Sequence, residues 1–233
     1  MNRLALARAD DALILGHRLS EWCGHAPALE EDLALANIAL DLIGQARSLY
    51  TLAGAATGHD EDHLAYLRDE RAFTNLLLVE RPNGDFAVTI TRQFLYSAYI
   101  DPYWRSIAAT QSPLAPIAAK AAKESAYHLR HAAEWLIRLG DGTAESHRRA
   151  QTALTQLWPY TDELFDPITP DDIAVPRETW DTTVNAVLAE ATLTRPDPKW
   201  QHRGGRLGTH TEHLGHLLAE MQSLHRSNPG ATW

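Results

Sequence analysis

Apolar and polar positions along this chain repeat with a period near 3.6 residues, as expected of helices that bury one face. The clearest run begins at Leu29. In LEEDLALANIALDLIGQARSLYTLAG the residues Leu33, Ala36, Ile38, Ala39, Leu42, Ile43, Ala46, Leu49 and Tyr50 keep that spacing. Glu30, Glu31 and Asp32 place negative charge in its first turn, where the helix dipole favours it, so a helix of about 25 residues is predicted. Upstream, Leu13, Ile14, Leu19 and Trp22 predict a helix over 10–24 whose face is broken by His17 and Arg18.

Downstream, residues 58–86 predict a short helix and an irregular connector that ends in a Pro82-Asn83-Gly84 turn. DFAVTITRQFLYSAYIDPYWRSIAAT is apolar for too long to be a strand, and Pro102 is expected to kink it. A helix opens at Ser112-Pro113 and closes at Gly140, and another starts at the Thr143 cap and runs to about Phe165. A Pro/Asp-rich loop over 167–176, a helix from Arg177, a loop with Gly204, Gly205 and Gly208, and a helix containing THTEHLGHLLAEMQSLHRS complete the chain. No hairpin pattern, repeat or second core is visible. The expectation is an all-α bundle forming one unit over 1–233, with its core over about 10–228. Four of its helices would reach ~35 Å at ~1.5 Å per residue.

Composition narrows the partners. A net charge of −9 over 233 residues gives nucleic acid no electrostatic reason to bind. Cys23 is the only cysteine, which excludes an internal disulfide and a cysteine-based zinc site and suits a reducing compartment. The first residues do not read as a signal peptide, because Arg8, Asp10 and Asp11 interrupt them, and no run is apolar enough to cross a bilayer. A cytoplasmic location is therefore expected.

KESAYHLRH, residues 123–131, carries the candidate chemistry. Helical bundles that hold two irons use Glu-x-x-His pairs, because side chains at i and i+3 project together toward the bundle axis. Here the residue three before His128 is Ser125, and Glu124 stands one position further away. One position turns a side chain by ~100° around a helix. Around Asp41 the sequence reads Leu42-Ile43-Gly44-Gln45, again without the pair. Glu124 and His128 share a face at i, i+4, which fits a polar pair in the core better than a metal site. His210, His213 and His216 drift around their helix and fit an interface better than chelation. Lys199, His202, Arg203 and Arg206 form a basic cluster that could meet an interface or a phosphate, and Arg148-Arg149 form a second one. The Gly204-Gly205 pair lacks a dinucleotide context.

Four stretches, LGHRLSEWCGHAPALEEDLALANIALDLIGQARSLY, YLRDERAFTNLLLVERPNGDFAVTITRQFLY, KESAYHLRHAAEWLIRLGDGTAESHRRAQ and HTEHLGHLLAEMQ, resemble the C subunits of bacterial phenylacetyl-CoA 1,2-epoxidases (ring 1,2-phenylacetyl-CoA monooxygenases), the PaaC family. The resemblance covers roughly residues 10–229. It implies a ferritin-like bundle without catalytic residues, metal or cofactor of its own, paired with a catalytic A subunit that carries di-iron and binds most of the phenylacetyl-CoA. A small B subunit and an iron–sulfur flavoprotein reductase would complete the system.

Set against the pattern of the A subunit, the six ligand positions fall on Glu21, Leu42, Gln45, Tyr96, Ser125 and His128, so only Glu21 and His128 keep a ligating side chain. Leu cannot coordinate, and Gln and Ser are poor replacements for carboxylate and imidazole. A non-catalytic structural subunit is the leading expectation, with seven tryptophans and seven tyrosines suited to an interface and no membrane or nucleic-acid partner. The isolated chain could form a homodimer. The competing reading is a metal-dependent oxygenase or hydrolase built from Glu21, Glu124 and His128 with Asp41 or His131. A third is a binding module for CoA thioesters acting through the 199–206 cluster.

Overall fold

Asn2 opens the first helix by accepting the Ala5 N–H, and α1 then runs over Arg3–Ser20. It starts seven residues before the expected position 10, because its first turns bury small side chains (Ala5, Ala7, Ala9) that contribute little to an apolar period. The computed structural model describes residues 2–231; Met1, Thr232 and Trp233, the ends of the expected unit, lie outside the described residues.

Next, α2 (Leu29–Gly54) matches the predicted span and ends where Gly54 meets the His59 carbonyl too closely to allow a side chain. Short helices α3 (Glu61–Tyr66) and α4 (Leu77–Glu80) punctuate the connector. Asp85 caps α5 (Phe86–Ala108) by accepting the Val88 N–H, and the helix continues through Pro102. Pro116 lies in the first turn of α6 (Ala115–Gly140), where its missing N–H costs nothing. A Thr143–Ser146 capping box starts α7 (Ala144–Leu157). This helix stops short of the expected Phe165, because Pro159 cannot continue the hydrogen-bond ladder and 3-10 turns over 158–160 and 162–165 replace it. The last two helices are α8 (Arg177–Glu190) and α9 (Glu212–Ser227).

The α1–α2 and α5–α6 hairpins form a four-helix core and meet where α2 packs against α6. This is the expected ferritin-like, all-α architecture with peripheral helices, and no strand occurs among the described residues. Three of its helices reach ~35 Å rather than four, since the 18 residues of α1 span only ~27 Å. One contiguous apolar cluster begins at Ala5 and extends to Leu218. Helices α7 and α8 wall in α5, while α4 packs on α1 and α9 packs on α3. As a result α1 and α5 are buried nearly all round, whereas α2 and α6 each keep a face open to water. No helix among the described residues is long and apolar enough to cross a membrane.

Candidate functional site

The α2–α6 seam gathers the polar residues that the sequence singled out. Because the two helices run antiparallel, their contacts pair rising numbers on one with falling numbers on the other. Gln45 Nε2 donates to Glu124 Oε2 at 2.8 Å, and Lys120 lies 3.3 Å from the other oxygen of that carboxylate. One turn along, His128 Nε2 meets Asp41 Oδ2 at 3.1 Å. Toward the start of α2, His131 Nε2 meets Glu31 Oε2 at 2.9 Å. Ser125 Oγ turns toward α5 and donates to Asp101 Oδ1 at 3.1 Å, and Arg105 holds the second oxygen of Asp101.

The expected Glu124–His128 pair is therefore corrected. Each residue is satisfied by α2, not by the other, because a shared helix face aims both outward at the neighbouring helix. The six positions that the resemblance aligns with ligands also divide. Gln45 and His128 are buried at the seam, and Ser125 is buried on the α5 side of α6. Leu42 faces the core opposite Gly16, where burying its side chain contributes about 1.5–3 kcal/mol to folding.

Tyr96 sits in the core near the charges of Asp11, Arg8 and Arg206, and burial above all pushes its phenol far above the ordinary range. Glu21 lies off the seam beyond the end of α1. Its carboxylate accepts from Arg18 and Asn83 and partly balances buried Arg92, whose guanidinium burial and the nearby Arg18 pull down to about 9. Among the described residues, no three of His, Cys, Asp and Glu converge as metal ligands would. An amide, a hydroxyl and a hydrocarbon do not supply the anionic donors that a pair of irons requires. The residues at these positions do not fit such a centre.

The basic cluster is also corrected. Arg206 turns inward, bonds both oxygens of Asp11 at 2.9 and 2.7 Å, and donates to the carbonyls of Ala7 and Thr74. Arg203 is held by Asp162 and Asp166. His202 stacks on Tyr160 with Trp200 at its edge, and burial and Arg81 lower its pKa. His210 is buried between the Glu80 carboxylate (2.8 Å) and the Phe73 carbonyl (2.9 Å). His213 lies by Arg18, which bonds its carbonyl, while Lys199 stands alone at the surface. These groups form no phosphate pocket, so the acyl-CoA module reading loses its basis.

Sequence reasoning missed a second polar layer around α1. Arg8, Asp10 and Asp11, noted only as breaks in an apolar pattern, are buried. Asp10 accepts from Tyr50, Arg68 and the Thr74 N–H and hydroxyl. Asp11 binds Arg206 and the Leu76 N–H. Arg8 bonds the Tyr99 hydroxyl at 2.8 Å and lies 4.0 Å over the Tyr103 ring. Glu163 accepts the N–H groups of Leu77, Gly204 and Gly205, which explains the paired glycines: a side chain on Gly205 would collide with the Asn75 carbonyl. Three charges within four residues of an otherwise apolar helix were the available signal.

Fold and seam together define a ferritin-like helical bundle whose α2 and α6 are joined by a row of carboxylate–amide and carboxylate–histidine contacts. The comparisons agree with that class. The family model described as "Phenylacetic acid catabolic protein" matches residues 1–233, and the chain belongs to that family. It is 49% identical over 248 residues to the C subunit of the 1,2-phenylacetyl-CoA epoxidase of Escherichia coli (strain K12), with 100% of both chains covered.

Proposed function

We propose that this chain is a non-catalytic subunit of a phenylacetyl-CoA epoxidase that pairs with and stabilises a catalytic A subunit in phenylacetate breakdown. The di-iron centre, most of the acyl-CoA contacts and the oxygen chemistry belong to that partner, with a B subunit and an iron–sulfur flavoprotein reductase completing a cytoplasmic system. The observation that carries this reading is the seam. Leu42, Gln45 and Ser125 occupy positions where the resemblance calls for ligands, and Gln45, Ser125 and His128 each commit a polar atom to an internal partner. The name of the 49%-identical relative, one subunit of an epoxidase, supports the assignment to a multisubunit enzyme. An independent metalloenzyme built on Glu21, Glu124 and His128 is not favoured, because Glu21 is committed to Arg18 and Asn83 away from the other two.

Two measurements test the proposal. Elemental analysis of the chain purified alone should find less than ~0.1 equivalent of iron, manganese or zinc; one or two tightly held equivalents would make it a metalloprotein. Mixed with the catalytic subunit, it should form a stable complex and raise that subunit's resistance to heat. No association at micromolar concentrations would defeat the pairing.

A further inference from the structure

Of the four core helices, α2 and α6 alone keep long faces that no peripheral element covers. Leu29, Leu33 and Leu40 of α2 are 71, 58 and 67% exposed. Spaced at i, i+4 and i+11, they fall within about 40° of one another around the helix and form a single apolar ridge. Across the seam, the outer ridge of α6 is cationic. Lys120, Lys123, Arg130 and Arg138 are exposed at steps of three and four residues around Tyr127, with Glu134 as the one exposed carboxylate in that row. Arg130 lies 5.7 Å from the Tyr127 ring. In a chain of net charge −9 this row is a local reversal of sign.

We infer that the joint outer face of α2 and α6 is the docking surface for a helical partner that sets an apolar ridge beside an acidic one. The inference rests on the subunit reading and names the surface and partner chemistry that would serve it. Buried leucines would supply most of the binding free energy, and the opposed charges would set register and speed encounter.

A second copy of this chain fits poorly. A two-fold arrangement that lays leucines on leucines also lays the α6 cations on cations, and the other two-fold arrangement lays leucines on cations. An anionic membrane fits poorly as well, because the partly exposed carboxylate of Asp41 lies in the seam between the two ridges and would lose water on insertion.

The test measures association with the catalytic subunit of the same epoxidase by sedimentation, at about 50 and 500 mM salt. Leu33→Asp with Leu40→Asp should weaken binding by about 100-fold or more. Lys120→Glu with Lys123→Glu and Arg130→Glu should weaken it about tenfold and flatten its dependence on salt. All five positions are exposed, so both variants should melt like the wild type. If both bind like the wild type while Trp200→Ala with Leu207→Asp abolishes the complex, the docking face is wrong and the subunit reading survives. If the wild type fails to bind, the subunit reading falls and takes this inference with it. Two other results would overturn the partner class: ridge variants that abolish only self-association, or ridge variants that abolish only binding to phosphatidylserine vesicles.

Discussion

The α2–α6 seam and the charges around α1 are both polar layers within one bundle, and they are built differently. Around α1 each carboxylate takes several donors: Asp10 is bonded by two side chains and a backbone N–H in addition to Arg68, and Glu163 by three backbone N–H groups. The donors come from α2 and from the segments near residues 70 and 205, and Glu163 accepts from both of those segments, so the layer fastens three loops together beside one helix. At the seam each residue has one cross-helix partner, and Asp41 is partly exposed. A buried charge is costly unless it is fully paired, so the first layer can serve only as a lock. The second, with single contacts and a partly exposed carboxylate, should tolerate change more readily.

The sharpest way to break this contrast is at Asp11. Asp11→Ala strands the buried guanidinium of Arg206 and removes the acceptor of the Leu76 N–H, and it should cost about 3–5 kcal/mol in urea unfolding. A loss below about 1 kcal/mol would mean that the layer is not a lock.

His210 gives a pH-dependent probe of the same layer. Burial lowers its pKa, but the hydrogen bond to Glu80, the Phe73 carbonyl and the charge of Glu80 outweigh burial, and the net shift is upward. The folded protein therefore holds this proton more tightly than the unfolded chain. The contribution is complete below the ordinary histidine range and is lost as pH rises through the folded-state value. His17, His202 and His213 shift downward and act in the opposite sense. The quantity to follow is thus the stability difference between the wild type and His210→Gln, which should shrink as pH rises. A difference that stays constant would remove the buried imidazolium from the account.

The smallest effect belongs to the seam. A double-mutant cycle on Asp41→Asn and His128→Gln should return a coupling of about 1 kcal/mol or less. A coupling of about 3 kcal/mol would put the seam on the same footing as the α1 layer.

How much the chain disclosed in advance follows from where partners lie along it. The span of α2 was legible because its large apolar residues repeat without interruption, and the α6 seam was legible as a motif. The start of α1 was not, since alanine marks a buried face only weakly. Spacing along α6 showed that Glu124 and His128 share a face but said nothing of the α2 residues opposite. Arg206 was read as part of a surface cluster because its partner Asp11 is 195 positions away. Local pattern finds elements, and long-range ionic pairing lies outside its reach.

That separation also has a consequence for how the protein is made. During synthesis α1 leaves the ribosome carrying two aspartates and an arginine destined for burial, while the guanidinium that completes Asp11 follows 195 residues later. At about 5–20 residues per second the ribosome needs roughly 10–40 s to cover that distance. Until then the bundle cannot close over α1 without burying bare charge. The nascent chain is therefore expected to wait, open and sticky, for the segment around residue 206, and a transcript cut short before that residue would yield a product that never completes the surroundings of α1.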